Sequence, residues 1–216
     1  IMKKISYESH ELFPSLVWKT NLDREFTKEE QTALDNNYKE CTKYVHPQYQ
    51  PELGKSKALL GDTYLLNCKG LEFLKEEILV HIKNYFSCRY EPKDNIDIYM
   101  TQSWMNIIEK GEHHPRHTHS NSIISGVLYL QTVEGDKISF QKPLPPEIQI
   151  ETNNHTKYNS PEWSIPVKNM DLLLFCSTLS HQVPLKMHEG TRMSLSFNTF
   201  VKGTLGLMGN ATELIL

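Results

Sequence analysis

Leu71, Leu74, Ile78, Ile82 and Phe86 recur at three- and four-residue intervals, and this apolar stripe predicts an amphipathic packing helix over residues 71–86. An earlier helix is expected from Phe26 to Cys41, where Thr27 can cap the first turn and Glu29 and Glu30 suit its positive end. Between these, residues 44–57 hold Pro47, Pro51 and Gly54 and read as a loop. From about Ile96 the period shortens. Short runs at Ile96–Met100, Ser103–Ile108, Ile123–Leu130, Lys137–Phe140, Asp171–Phe175 and Met193–Phe200 read as strands, punctuated by Lys110-Gly111, Glu134-Gly135-Asp136 and Glu189-Gly190. Many short strands in series favour a barrel or sandwich over a parallel sheet. Residues 143–166, rich in proline, read as a long irregular loop of the kind that serves as a lid, with Tyr158 and Trp163 on it; the loop over 44–57 is a second lid candidate.

Composition narrows this little. The 216 residues suffice for one sizeable core, and 38% hydrophobic with 23% charged residues is an ordinary balance. The net charge of −3, spread along the chain, argues mildly against nucleic acid as a partner. No stretch reaches the roughly 20 apolar residues of a membrane helix, and Ile1-Met2-Lys3-Lys4-Ile5 is followed by no apolar run of signal-peptide length. Cys41, Cys68, Cys88 and Cys176 form no C-x-x-C pair, so reduced thiols and a cytoplasmic location are expected. A homodimer stays open.

The ten histidines change the picture most, because four of them fall at 113, 114, 117 and 119. If residues 117–119 are extended, His117 and His119 share a face and can converge on one metal ion. Pro115 sets His113 and His114 apart from them. His181 follows the apolar run Asp171–Phe175, and by itself it reads as a structural histidine as readily as a ligand. Strict alternation puts Arg192, Ser194, Ser196 and Asn198 on one face and Met193, Leu195 and Phe197 on the other. The polar face either meets water or lines a cavity, where Arg192 would bind a carboxylate in bidentate fashion and Ser194 would assist. In residues 122–130, Tyr129 shares a face with Ser125 and Val127, as a cavity phenol or a core tyrosine.

In sequence, Ser103-Trp104-Met105-Asn106, Gly111, His117-Thr118-His119, Ser125–Leu130, Ile138-Ser139-Phe140, Asp171–Phe175, His181 with Val183-Pro184, and Gly190–Asn198 resemble the 2-oxoglutarate and iron(II)-dependent oxygenases of cyanophages and marine bacteria. Glu11–Trp18 resembles the way those proteins begin, so the likeness covers nearly the whole chain. It implies one oxygenase domain of α+β, mostly β class: a double-stranded β-helix (jelly-roll) core over 96–201, a helical supporting region over 1–95 and a tail over 202–216. It implies Fe(II) and 2-oxoglutarate as cofactors, a host-cytoplasmic location if phage-encoded, and hydroxylation of an unidentified substrate coupled to 2-oxoglutarate decarboxylation. The superfamily pattern of H-x-D/E plus a distal His carries over to His117, His119 and His181, with His119 standing where a carboxylate is usual. Arg192, eleven residues after His181, and Ser194 match the R-x-S pair for the far carboxylate, with Tyr129 and Asn106 as helpers. The alternatives are a cupin-type three-histidine dioxygenase that needs no 2-oxoglutarate, and a jelly-roll binding module without catalysis.

Overall fold

The computed structural model describes residues 8, 10–41, 57–59, 62–143, 148 and 150–216. Two antiparallel sheets face each other. The larger takes strands β1 (Val17–Asn21), β2 (Lys57–Leu59), β3 (Ile96–Ile108), β5 (Ile124–Gln131), β8 (Asp171–Cys176) and β10 (Arg192–Leu205) in the order β1-β8-β5-β10-β3-β2, with β11 (Leu214–Ile215) pairing onto β10. The smaller takes β4 (His114–His117), β6 (Lys137–Gln141), β7 (Glu162–Pro166) and β9 (His181–Val183) in the order β4-β9-β6-β7. From β3 to β10 the chain alternates between sheets, staying in the smaller one only for the β6–β7 hairpin. This winding is the double-stranded β-helix.

Two α-helices occur among the described residues, α1 (Lys28–Cys41) and α2 (Glu72–Tyr90). Thr27 starts α1 in a reciprocal capping box: its Oγ1 accepts the Glu30 N–H at 3.2 Å, and Glu30 Oε2 accepts the Thr27 N–H at 2.9 Å. Arg24 joins this cap to α2 by ion pairs to Glu30 and Glu77, both at 2.7 Å. The α2 stripe, Leu74, Ile78, Ile82, Tyr85 and Phe86, buries against Met105, Leu128, Leu172, Leu174, Leu195 and Phe197 on the outer face of the large sheet.

The alternate positions of the same strands turn inward. Val127, Tyr129, Leu173 and Phe175 meet Ile138, Phe140, Val167 and Leu179 between the sheets. Asp171–Cys176 is therefore buried on both sides, which explains its unbroken apolar run. Gly126 is required by packing: a Cβ there would lie 2.2 Å from Phe197 Cζ and 2.8 Å from Leu174 Cδ2.

The elements depart from the sequence reading in identifiable places. Two expected strands, Ile96–Met100 and Ser103–Ile108, are one strand, β3, kept continuous by pairing with β10 across a bulge at Asn198/Thr199. The N-terminal region gives strands as well as helices: β1 pairs β8, and Tyr85 Oη bonds Leu16 O at 2.9 Å beneath it. Residues 162–166 of the expected loop form β7, with Trp163 half exposed. The other lid candidate, 44–57, lies almost wholly outside the described residues, as does part of 143–149. No helix among the described residues is long and apolar enough to cross a membrane.

Candidate metal and dicarboxylate site

The pocket opens between the sheets. On the small sheet, antiparallel pairing sets His117 of β4 directly across from His181 of β9, with ring centroids 4.3 Å apart. His119 is not in the strand. It lies past the end of β4, its N–H bonded to Ser177 O at 2.9 Å, and its ring stacks 5.1 Å from that of His181. Strand alternation, the argument first used to pair His117 with His119, therefore does not operate here; a backbone anchor on the β8–β9 turn does the same work. One nitrogen from each ring lies within 4.8 Å of the others.

The tautomers of two rings follow from geometry. His117 Nδ1 sits 2.8 Å from Pro115 O, and His181 Nδ1 sits 2.9 Å from Leu179 O. A carbonyl only accepts, so both Nδ1 atoms carry the hydrogen and both Nε2 atoms present lone pairs to the cluster. His119 Nε2 is 3.3 Å from His181 Nε2. Two nitrogens each about 2.0–2.1 Å from one ion sit at about this separation. Burial, reinforced by neighbouring imidazoles, pushes His181 down to about 3 and His119 down to about 4; burial also lowers His117. All three are neutral at pH 7, the form that binds a metal.

On the large sheet, three strands make rungs. Asn106, Ser194 and Tyr129 align across β3, β10 and β5; Trp104, Ser196 and Val127 form the rung on the histidine side; Ile108 and Arg192 form the rung beyond. The polar face of β10 thus lines a cavity: Arg192 is 2% exposed and Ser194 4%. Arg192 Nη1 donates to Lys137 O at 2.8 Å, Nη2 donates to Tyr129 Oη at 3.2 Å, and the guanidinium lies over the Tyr129 ring. Among the described residues, Arg192 Nε has no acceptor and Asn106 Oδ1 has no donor, although Asn106 Nδ2 reaches Ser196 Oγ. Buried polar atoms are rarely left unpaired, and an unused guanidinium N–H beside a phenol and a serine fits a carboxylate. Burial pushes Tyr129 up to about 12, against the opposing pull of Arg192, so its phenol stays protonated. Since Tyr129 Oη accepts from Arg192, its own hydrogen is available to a ligand.

All seven residues expected from the sequence line one pocket. Of the remaining lining residues, four that were not expected at the site stand beside the histidines. His114, set aside because of Pro115, sits with its ring 4.6 Å from that of His117, and burial pushes it down to about 3. The register irregularity between His114 and His117 turns both toward the pocket, where regular alternation would separate them. It is not among the three whose nitrogens converge. Trp104 lies 6.0 Å from His119, Phe175 packs 4.6 Å from His181, and Gln182 follows His181 on the wall. Only the Trp104 position had a sequence signal, its alternation with Asn106.

Residues 102–198 match a family model described as "Putative 2OG-Fe(II) oxygenase". No curated protein matches the sequence. Among solved structures, the non-heme α-ketoglutarate-dependent epimerase SnoN from nogalamycin biosynthesis aligns with a TM-score of 0.60 at 12% identity, over 88% of this chain and 80% of its own. A prolyl hydroxylase from Trichoplax adhaerens, solved with a hypoxia inducible factor peptide fragment, aligns at 0.55 and 16% identity over 85% and 83%. A Pseudomonas putida prolyl-4-hydroxylase aligns at 0.53 and 10% identity over 85% and 92%. These likenesses establish the shared fold. The family match, with the histidine cluster, supports an enzyme of the 2-oxoglutarate/Fe(II) oxygenase class with those two cofactors.

Proposed function

We propose that this chain is an iron(II)- and 2-oxoglutarate-dependent dioxygenase that hydroxylates its substrate, with His117, His119 and His181 as the metal ligands. The observation that carries this reading is the pairing of two features in one pocket: three neutral imidazoles converging at one end, and a buried guanidinium with an unused N–H at the other. A five-carbon dicarboxylate has one anionic group for each end.

When bound, the iron and 2-oxoglutarate would supply dioxygen activation: one oxygen atom of O2 would pass into succinate as the keto acid loses carbon dioxide, and the other into the C–H bond of the substrate. The chain's own residues bind and orient. Pro115 O and Leu179 O hold His117 and His181 in the tautomer whose Nε2 faces the ion. Arg192 and Ser194 would hold the far carboxylate, with the phenolic hydrogen of Tyr129 available to it and Asn106 on the same rung. Phe175 and Phe140, edge to face at 5.1 Å, keep water from the back of His181. The donor set fits both groups.

One specific observation favours a second reading. With no carboxylate among the described residues beside the three histidines, the cluster also suits a cupin-type dioxygenase that uses no keto acid. The two readings separate on succinate formation. With iron(II), oxygen and 2-oxoglutarate alone, slow uncoupled succinate formation is expected from the wild type, and none from His181→Ala. Iron binding with no succinate formed and no 2-oxoglutarate bound would favour the cupin reading.

A further inference from the structure

Among the described residues, the charged groups facing this pocket are of one sign. None of the described lining residues is Asp or Glu, and they include Arg192 together with His114, His117, His119 and His181. The histidines are neutral, so the fixed charge is that of Arg192. Among the described residues it forms no ion pair; its partners are a carbonyl and a phenol. The acids that act on Tyr129 from behind already have partners: Asp136 receives His188 Nε2 at 3.0 Å, and Asp171 receives Lys19 Nζ at 2.8 Å. Glu162, outside the lining, holds the side-chain amides of Gln141 and Gln182.

Resting on the proposed function, the charges can be counted. A site with two histidines and one carboxylate balances when the divalent ion and one arginine meet a dianionic cosubstrate. Here the carboxylate is replaced by a neutral imidazole, so the same assembly keeps one positive charge. Such a charge in a desolvated pocket attracts a counterion strongly. The part of the lining open to such a counterion is the rung on the histidine side, where Trp104 and Ser196 are partly exposed while Asn106 and Ser194 behind them are buried. We propose that the primary substrate is an anion, and that it places a carboxylate or similar oxyanion in this space, between His119, Trp104 and Ser196, beside bound 2-oxoglutarate. The indole of Trp104 would then pack against the apolar part of the substrate.

The test uses nickel-loaded protein, which does not turn over, with acetate and its neutral isostere acetamide as probes in calorimetric titrations. Metal and 2-oxoglutarate are titrated first in the same cell. Acetate is then expected to bind once per chain, at least tenfold more tightly than acetamide. Ser196→Asp, which leaves every histidine in place and adds a negative charge to this rung, is expected to keep metal and 2-oxoglutarate but weaken acetate at least tenfold. If metal and 2-oxoglutarate bind but acetate does not, or acetamide binds as well, or Ser196→Asp leaves acetate binding unchanged, the proposal is overturned while the proposed function stands. Release of one proton per chain on 2-oxoglutarate binding would also overturn it, because ionisation of a bound water would then balance the charge. If metal or 2-oxoglutarate fails to bind, both fall together.

Discussion

The two ends of the pocket are built differently. The arginine end rests on the long strands β3, β5 and β10: Arg192, Ser194 and Asn106 take their places from the unbroken stretch of the β3–β10 ladder between Arg192↔Ile108 and Asn198↔Gln102, and Tyr129 pairs with Ser194 just past an irregularity in the β5–β10 ladder. The histidine end rests on β4 and β9, of four and three residues, and on a residue past the end of β4. There, single hydrogen bonds to Pro115 O, Leu179 O and Ser177 O fix what a ladder fixes at the other end. The difference separates holding a cosubstrate from presenting lone pairs at one point. A strand fixes a side chain's face, whereas a ligand ring also needs its tautomer and rotation set, and local carbonyls set both.

This contrast can be broken by substitution, and the largest effect belongs to the histidine end. His181→Ala or His117→Ala should abolish stoichiometric iron, measured by metal analysis of the purified protein, with the circular dichroism unchanged. Retention of iron at wild-type stoichiometry would remove the ring from the ligand set. At the other end, Arg192→Gln should leave iron in place and cost about 2–5 kcal/mol of 2-oxoglutarate binding, read by calorimetry. Arg192→Lys should recover only part, because a point charge lacks the forked geometry.

Acid should act on the histidine end alone. His114, His119 and His181 are pushed down to about 3, 4 and 3, and His117 is lowered too, all from 6.5. The unfolded chain takes up these protons first as pH falls. Stability of the apoprotein is therefore full above about 6.5 and is lost progressively as pH drops toward 4. Denaturant titrations from pH 8 to 4 should show this slope, and His114→Gln should flatten it. The smallest effect concerns the ladder itself: Gly126→Ala forces a methyl against Phe197 and should destabilise by about 1–3 kcal/mol, seen as a lower unfolding midpoint.

The same contrast explains what the sequence made legible. Arg192, Ser194, Ser196 and Asn198 were readable as one face because β10 runs in unbroken register with β3 from 192 to 198, although alternation alone could not say whether that face met water. The β-helix followed from the serial strands and the family resemblance. β4 and β9 were not readable as strands, since Pro115 breaks the pattern and three residues carry no period. His114 was missed for the same reason: a register irregularity reverses the face that counting assigns it. His117 and His119 lie together in space, but not through the alternation that local pattern suggested, since a bond to Ser177, 58 residues further along, is invisible to such a pattern.

The most direct test of the central claim is calorimetric titration of 2-oxoglutarate into the purified chain, with and without one equivalent of iron(II), under anaerobic conditions. One 2-oxoglutarate per chain should bind when iron is present, with much weaker binding when it is absent and when Arg192 is replaced by Gln. Equal binding with and without iron, or none in either case, would contradict a pocket that holds the cosubstrate from both ends.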